Sequence, residues 1–381
     1  MSTIPMILVI NTGSTTTKCA LFRCDSEPTE PVQKTTIEHP DDMIHKFATI
    51  SSQVDYREQL VREYVKNNLP ENAEIKAVGA IGGMLPPVPS GVIALNKELA
   101  DFSLNTPVYQ HASNLGAPLA FRVADTFKVA SYVVDPVGVD EMAPIARISG
   151  AVDFPRFSFV HALNIRATVR RLAKEIGKPF TQMRCVVCHL GGGFSIAPFD
   201  RGRIVDSDNR MDGAPFTPER AGGVPPIPLL EACFSGKYTQ KELHKKLYGA
   251  GGIYGYLGTK DIREVIKRIK EGDSFAKFIY DAMIYQICKE IGAMASVLDF
   301  DMDGIIVTGG VANETYLTGE IVRKCSRLGK IHVFPGENEN EAIALSVYYA
   351  MIAQEPAMQW PSCIISEEAI DPLRNFSTDL K

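Results

Sequence analysis

The sequence predicts an α/β protein whose two halves share one plan, and three features carry that expectation. Short apolar runs at Ile7–Ile10, Cys185–His189 and Gly304–Gly310 have the length of strands covered on both faces. Each run leads into a turn rich in glycine or small hydroxyl residues: Asn11–Ser14, His189–Gly193 and Thr308–Gly310. Between the runs lie stretches with apolar residues at helical spacing. A chain of 381 residues is long enough for two domains, each with its own core.

In chain order, Met6–Phe22 reads as a hairpin: strand Ile7–Ile10, the turn, then strand Lys18–Phe22. Asp41–Leu69 reads as helical, and Pro70–Glu74 ends it. Ile75–Ile81 is an expected strand running into Gly82–Gly83, followed by the proline-rich loop Met84–Gly91. Leu95–Leu104 and Leu115–Phe127 are expected helices, the second with Ser113 or Asn114 as N-cap. Ala130–Val134 is a strand that meets Asp135–Pro136, and the texture changes after Ser149–Gly150, so a domain boundary is expected near Pro155. The second half then repeats the order: helix His161–Ile176, strand Cys185–His189, glycine turn, strands Phe194–Pro198 and Arg203–Asp206. A long helix, Phe275–Leu298, precedes the strand Gly304–Gly310, and Glu339–Ala353 closes the pattern.

Composition narrows the function. A content of 45% hydrophobic and 22% charged residues with 30 glycines is that of a globular α/β enzyme, not of a disordered or fibrous chain. A net charge of −5 without a basic block argues against a nucleic-acid partner. Ile7–Ile10 is too short to span a bilayer and no secretory leader precedes it, so no membrane partner and a cytoplasmic location are expected. Eight cysteines include a single C-x-x-C pair, Cys185 and Cys188. On a strand, residues three apart face opposite sides, so buried reduced thiols are expected rather than a metal or redox site.

Glycine turns at the ends of buried strands are places where backbone N–H groups can cradle phosphate, and Lys18 adds a point charge to the first. The first turn is no P-loop, because the G-x-x-x-x-G-K-[ST] string is absent and a strand follows it. Three such turns in a chain of two similar halves point to a nucleotide held in a cleft between domains. Asp135, Asp140, Glu141, Asp206, Asp208 and Asp212 lie near expected strand ends or loops, where Mg²⁺ ligands or a base would sit, although most such residues are solvated loop charges. Arg220, in the stiff loop P-F-T-P-E-R-A-G-G, can clamp a phosphoryl group or pair with Glu219. On local sequence His161 and His189 read as structural histidines rather than catalytic ones, His189 as the residue that orders the glycine turn.

Six longer strings carry a resemblance: I-L-V-I-N-T-G-S-T-T-T-K, H-A-S-N-L-G-A, V-V-D-P-V-G-V-D-E-M-A-P-I-A-R-I-S-G, H-L-G-G-G-F-S-I, G-A-P-F-T-P-E-R-A-G-G and V-F-P-G-E-N-E-N-E-A-I-A. Together, in order from about Met6 to Ala353, they resemble the butyrate kinases of the acetokinase family, a branch of the sugar-kinase, chaperone-ATPase and actin superfamily. The resemblance implies duplicated ribonuclease-H-like (actin-like ATPase) domains, each with a mixed five-stranded sheet flanked by helices, and a nucleotide cleft between them. It implies residues 1–154 with the closing segment 340–381 as one domain and 155–339 as the other. It further implies reversible transfer of the γ-phosphoryl group from ATP, with Mg²⁺, to a short-chain carboxylate, and a homo-oligomer.

By the same resemblance, Asn11 corresponds to an asparagine near Mg²⁺, and Gly13, Ser14 and Lys18 belong to the first phosphate turn. His189, Gly191, Gly192 and Gly193 form the second phosphate turn, and Gly309 and Gly310 the adenosine turn. Asp135 matches an aspartate with a base or metal-organising role; His161 and Arg220 match residues that stabilise the transferring group. Glu341 matches the metal-linked glutamate of the closing helix, with Glu337 and Glu339 as rivals. A carboxylate acceptor is already ionised at neutral pH, so Asp135 suits organising metal-bound water better than abstracting a proton. One departure stands out: butyrate kinases usually carry arginine where this chain has Ile81. Arg147 is a conceivable substitute. Asn96, Lys97 and Asn313 differ as well. The alternatives are therefore an acetate or propionate kinase, a nucleotide-binding sensory relative with a lost acid site, or, with least support, a filament- or chaperone-type ATPase.

Overall fold

The computed structural model describes residues 3–208 and 213–373; Asp212 lies outside the described residues. The chain divides into two compact units. The first comprises Met1–Glu141, Ala162–Ala167 and Asn338–Lys381; the second comprises Met142–His161 and Thr168–Glu337.

The first unit is built on β1 (Ile4–Thr12), β2 (Thr16–Arg23), β3 (Gln33–Glu38), β4 (Ala73–Ile81), β5 (Val92–Ala94) and β6 (Ala130–Val134). With the short strand Met358–Gln359 they form a sheet in the order Met358–Gln359, β5, β6, β4, β1, β2, β3. β1 runs antiparallel to β2 and parallel to β4, and β4 runs parallel to β6. The apolar run of β1 follows from burial on both faces. Leu8 and Ile10 pack with Val61, Val65, Leu119 and Val123 of helices Val54–Asn68 and Gly116–Phe127. Ile7 and Val9 pack with Ile343 and Val347 of helix Glu339–Met351 on the opposite face. The expected five strands become seven because β5 and Met358–Gln359 extend the sheet beyond β6.

The second unit contains β7 (Arg184–Leu190), β8 (Phe194–Asp200), β9 (Arg203–Ile204), β10 (Gly304–Gly309) and β11 (Ile331–Pro335), in the order β11, β10, β7, β8, β9. β7 is antiparallel to β8 and parallel to β10, the same arrangement as β1 with β2 and β4. The long helix Ser274–Val297 contributes Ile284, Ile287 and Ile291 to a core with Val186, Cys188, Ile305 and Val307. The class and both mixed sheets thus match the expectation.

Two local expectations need correction. Asp41–Leu69 is not one helix: a turn at Asp41–Ile44 and the helix Val54–Asn68 are separated by a segment in which Ser52 Oγ donates to the Thr49 carbonyl (2.7 Å). Ser and Thr side chains offer the backbone local partners that compete with the helical ladder. Neither Ser113 nor Asn114 caps Gly116–Phe127, which follows directly on a 3₁₀ turn, Ala112–Leu115. Asn114 instead accepts from the Met84 N–H at 2.8 Å and donates to the Tyr109 carbonyl, tying down the loop after β4.

Among the described residues no helix is long and apolar enough to cross a membrane. The cysteines are free thiols, with Cys185 and Cys188 buried on opposite faces of β7. Burial pushes the Cys185 thiol up to about 12 and raises that of Cys188 well above its ordinary value. Maleimide labelling of the folded protein at neutral pH should therefore modify exposed Cys233 and spare Cys185 and Cys188 until denaturant is added; peptide mass mapping reads the order.

Candidate active site

The first turn joins β1 to β2, closed by a hydrogen bond from Gly13 N–H to the Thr16 carbonyl (2.9 Å). Asn11 and Lys18 sit directly opposite in the ladder, so both side chains leave the same face at the turn's base. Asn11 is buried and its Nδ2 donates to Glu339 Oε2 at 2.6 Å, at the start of helix Glu339–Met351. The closing-helix glutamate that meets Asn11 is therefore Glu339. Glu341 lies two residues further on, and residues two apart on a helix point to different sides. The tip residues Ser14 and Thr15 are exposed. Beneath them Arg57, from helix Val54–Asn68, donates to the carbonyls of Gly13 and Ser14. Thr17 Oγ1 bonds His39 Nε2 at 2.8 Å. Burial, and then the charge of Arg57, lower the His39 pKa to about 4, which keeps the imidazole neutral at physiological pH.

Asp135 follows β6 with φ 38°, a left-handed conformation that costs a non-glycine residue of order 1–3 kcal/mol. The surroundings hold it there. Gly91 N–H donates to Asp135 Oδ1 (2.6 Å), Asp135 N–H donates to the Gly91 carbonyl (2.9 Å), and Arg166 Nε lies 3.1 Å from Oδ1. Arg166 also donates to Ser90 Oγ (2.7 Å), which donates to Glu141 Oε1 (2.8 Å). The carboxylate is thus an oriented, charge-paired group. Ile81 closes β4, half-buried, and packs with the apolar residues on one face of the first sheet.

In the second unit, His161 precedes helix Ala162–Ile176, and its Nδ1 lies 2.8 Å from Ser195 Oγ on β8. Its ring stacks on that of His189, centroids 3.9 Å apart, at the end of β7. His189 Nε2 is 3.9 Å from Glu337 Oε1. The turn Gly191–Gly193 is held by Gly191 N–H to the Gly193 carbonyl (3.2 Å) and by Thr217 Oγ1 donating to the Gly192 carbonyl (2.9 Å). A Cβ on Gly193 would stand 2.5 Å from Arg220 Nη1, so the guanidinium lies directly against this turn. Thr217 Oγ1 accepts the Arg220 N–H (3.1 Å), and burial lowers the Arg220 pKa from its ordinary value. Glu219, the alternative partner for Arg220, forms an ion pair with Lys260 at 2.8 Å.

At the third turn, Gly309 has φ 91°, and a Cβ there would stand 2.4 Å from the Leu190 carbonyl oxygen. Gly309 and Gly336 exchange backbone hydrogen bonds of 3.2 and 3.0 Å, which leaves Gly310 open to its surroundings. Of the remaining carboxylates, Asp206 pairs with Arg156 at 3.0 Å. Asp208 is buried, and desolvation with Glu290 and Asp206 nearby pushes its carboxyl up to about 8. A largely protonated carboxyl is a poor ligand for a hard cation. Arg147 is buried on the 3₁₀ turn Pro144–Arg147.

For Mg²⁺, which needs one or two carboxylates with water and phosphate oxygens completing its shell, the hard oxygen donors of Glu339 and Asn11 at the first turn are a fitting set. Sequence reasoning missed Arg57, Arg166, Ser195 and Thr217. Each is an ordinary residue locally, and its importance arises from partners 25 to 76 positions away. Thr217 and Ser195 alone carried a sequence signal, their places in the P-F-T-P-E-R and G-G-G-F-S-I strings.

A model of the acetokinase family matches residues 156–355. A probable butyrate kinase of Listeria monocytogenes serotype 4a (strain HCC23) is 40% identical over 355 residues, covering 93% of this chain and 99% of that protein. Probable butyrate kinase 2 of Caldanaerobacter subterraneus subsp. tengcongensis is 39% identical over 349 residues, covering 92% and 98%. Among solved structures, Porphyromonas gingivalis acetate kinase superposes with a TM-score of 0.73 at 17% identity, covering 91% of this chain and 100% of that one. A propionate kinase from Francisella tularensis gives 0.70 at 20% identity, covering 91% and 99%. These structural identities show a shared fold, that of the actin-like ATPases.

Neutral His39 has a measurable consequence. Between pH about 4 and the ordinary 6.5, the unfolded chain binds more protons at this position than the folded one. The His39 contribution to stability is thus complete above pH 6.5 and declines as pH falls through that window. Denaturant unfolding of the wild type and His39→Gln at several pH values should show a stability difference that shrinks as the solution is acidified; a pH-independent difference contradicts the assignment.

Proposed function

This chain belongs to the acetokinase family, and from that premise we infer that it transfers the γ-phosphoryl group of ATP to the carboxylate of a short-chain acid, giving an acyl phosphate and ADP. Butyrate or a branched short-chain acid is the proposed acceptor. The observation that supports it most is the end-to-end match, at 40% identity and 93% coverage, to relatives named probable butyrate kinase.

Phosphoryl transfer asks a protein mainly to position the reactants and to neutralise charge on the equatorial oxygens. The residues divide accordingly. Backbone N–H groups at Ser14 and Thr15, with Lys18, are assigned to phosphate, as are those of Gly192 and Gly193; the N–H groups of Gly13 and Gly191 close the two turns, and Gly309 and Gly310 are assigned to the adenosine side. Glu339 and Asn11 are the residues that would hold Mg²⁺, which neutralises phosphate charge. We favour Glu339 over Glu341 because its carboxylate meets Asn11.

Arg220 and His161 are assigned to charge on the transferring group. Arg220 suits this because it is partly desolvated beside a glycine turn, where a guanidinium acts more strongly than in water. Ser195 fixes the ring of His161 and Thr217 fixes the backbone of Arg220. Asp135 is a positioning group. Its oxygens are already engaged by Arg166 and Gly91 N–H, and the acceptor carboxylate needs no base. A second reading, a nucleotide-binding relative without acid turnover, is favoured by one observation: the side chain of Ile81 is packed among apolar residues and supplies no charge.

A hydroxamate assay over butyrate, isobutyrate, isovalerate, propionate and acetate, with ADP release followed in parallel, tests both readings. Acid-dependent hydroxamate and ADP are expected, with the C4 and C5 acids ahead of acetate. Tight MgATP binding without turnover on any acid overturns the kinase reading and supports the second. In the same assay Arg220→Ala should lower kcat by about a hundredfold or more with the fold retained, since such arginines contribute ~10³–10⁵ in rate; near-wild-type turnover removes Arg220 from the chemistry.

A further inference from the structure

Among the described residues of the first unit, Arg57 is the one fully buried arginine, and nothing in the assigned chemistry uses it. Its guanidinium, from helix Val54–Asn68, makes six hydrogen bonds. Nη1 donates to the carbonyls of Gly13 (2.9 Å) and Thr16 (3.0 Å) and to Thr17 Oγ1 (3.2 Å). Nη2 donates to the Ser14 carbonyl (3.0 Å) and, with Nε, to Gln53 Oε1 (2.9 and 3.1 Å). Every acceptor is neutral, and among the described residues no carboxylate pairs with it. An unpaired buried charge is costly, so main-chain carbonyls oriented at it must do the compensating. Burial accordingly lowers the Arg57 pKa to about 10, still charged at neutral pH, and neighbouring His39 stays neutral.

The consequence lies on the other side of the same peptide planes. In a trans peptide unit the C=O and the N–H point in opposite directions. Drawing the Gly13 and Ser14 carbonyls onto Arg57 therefore turns the N–H groups of Ser14 and Thr15 away from it, toward the exposed tip of the turn. A turn of this kind binds anions only when its N–H groups converge outward. A planar, five-donor guanidinium can fix several carbonyls at once, which a lysine ammonium cannot do in the same geometry.

We propose that Arg57 is the positioning residue of the phosphate turn: by holding the carbonyls of Gly13, Ser14 and Thr16 from beneath, it aims the N–H groups of Ser14 and Thr15 at the nucleotide phosphates. The inference rests on the reading that this turn binds phosphate, and the experiment separates the two.

Binding of MgATP and of adenosine is measured by calorimetry for the wild type, Arg57→Lys, Gln53→Met and Lys18→Ala, with thermal unfolding of each. Arg57→Lys keeps the charge but loses the fork. It should weaken MgATP about tenfold or more, the scale of hydrogen bonds to a charged group, while leaving adenosine affinity within about twofold. Gln53→Met leaves Arg57 in place but removes its Gln53 acceptor, and should weaken MgATP about threefold, which keeps the test alive if Arg57→Lys does not fold. If Lys18→Ala weakens MgATP but Arg57→Lys and Gln53→Met only lower the melting temperature, Arg57 is merely structural and the proposal is overturned. If none of the three weakens MgATP, the reading of the turn as a phosphate site fails, and the proposal with it. An equal loss of MgATP and adenosine affinity in Arg57→Lys also overturns it.

Discussion

A peptide unit that offers its N–H to an anion must send its C=O the other way, and a carbonyl sent into the protein interior must find a donor there. The three glycine turns meet this constraint with three different donors. Arg57 takes the carbonyls of Gly13 and Ser14 in the first. Thr217 Oγ1 takes that of Gly192 in the second, and Gly336 N–H takes that of Gly309 in the third. In each case the N–H of the following residue points away from that donor. The donors come from a helix, a proline-flanked loop and the end of a strand, so the demand is common while its solution is local.

The same economy governs the side chains given chemical roles. None stands on its own. Asn11 is held by Glu339, Asp135 by Gly91 and Arg166, His161 by Ser195, and Arg220 through its backbone by Thr217. Phosphoryl transfer has little covalent work for a protein to do, so its rate depends on groups that are already in place when substrate arrives. The left-handed Asp135 fits this view, since its backbone strain is balanced by a reciprocal pair of hydrogen bonds with Gly91.

The strands were legible in the sequence because burial on both faces writes an unbroken apolar run, as in β1 and β7, and turns written in Gly, Ser and Thr mark their ends. The three-residue strand β5 and the two-residue strand Met358–Gln359 are too short to write such a run, so the sheet proved wider than expected. The helical stretch at Asp41–Leu69 misled because apolar spacing continues through Phe47 and Ile50 while Thr49 and Ser52 bond each other's backbone. At the site, Asn11, Lys18 and Asp135 were readable as residues beside a strand end. The partner of Asn11 was not, because a contact between positions 11 and 339 depends on how a closing helix packs on the first sheet. Arg57 was hidden for a related reason: within its own helix it resembles any surface arginine.

In the proposed reaction an acid oxygen attacks the γ-phosphorus of ATP. Butyrate labelled with heavy oxygen in its carboxylate, incubated with ATP, Mg²⁺ and the protein and then trapped with hydroxylamine, tests it most directly. The carboxylate oxygen that formed the new P–O bond stays with phosphorus when hydroxylamine displaces it from the acyl carbon. One labelled oxygen is expected in the released phosphate for each hydroxamate formed. Phosphate without label would contradict it.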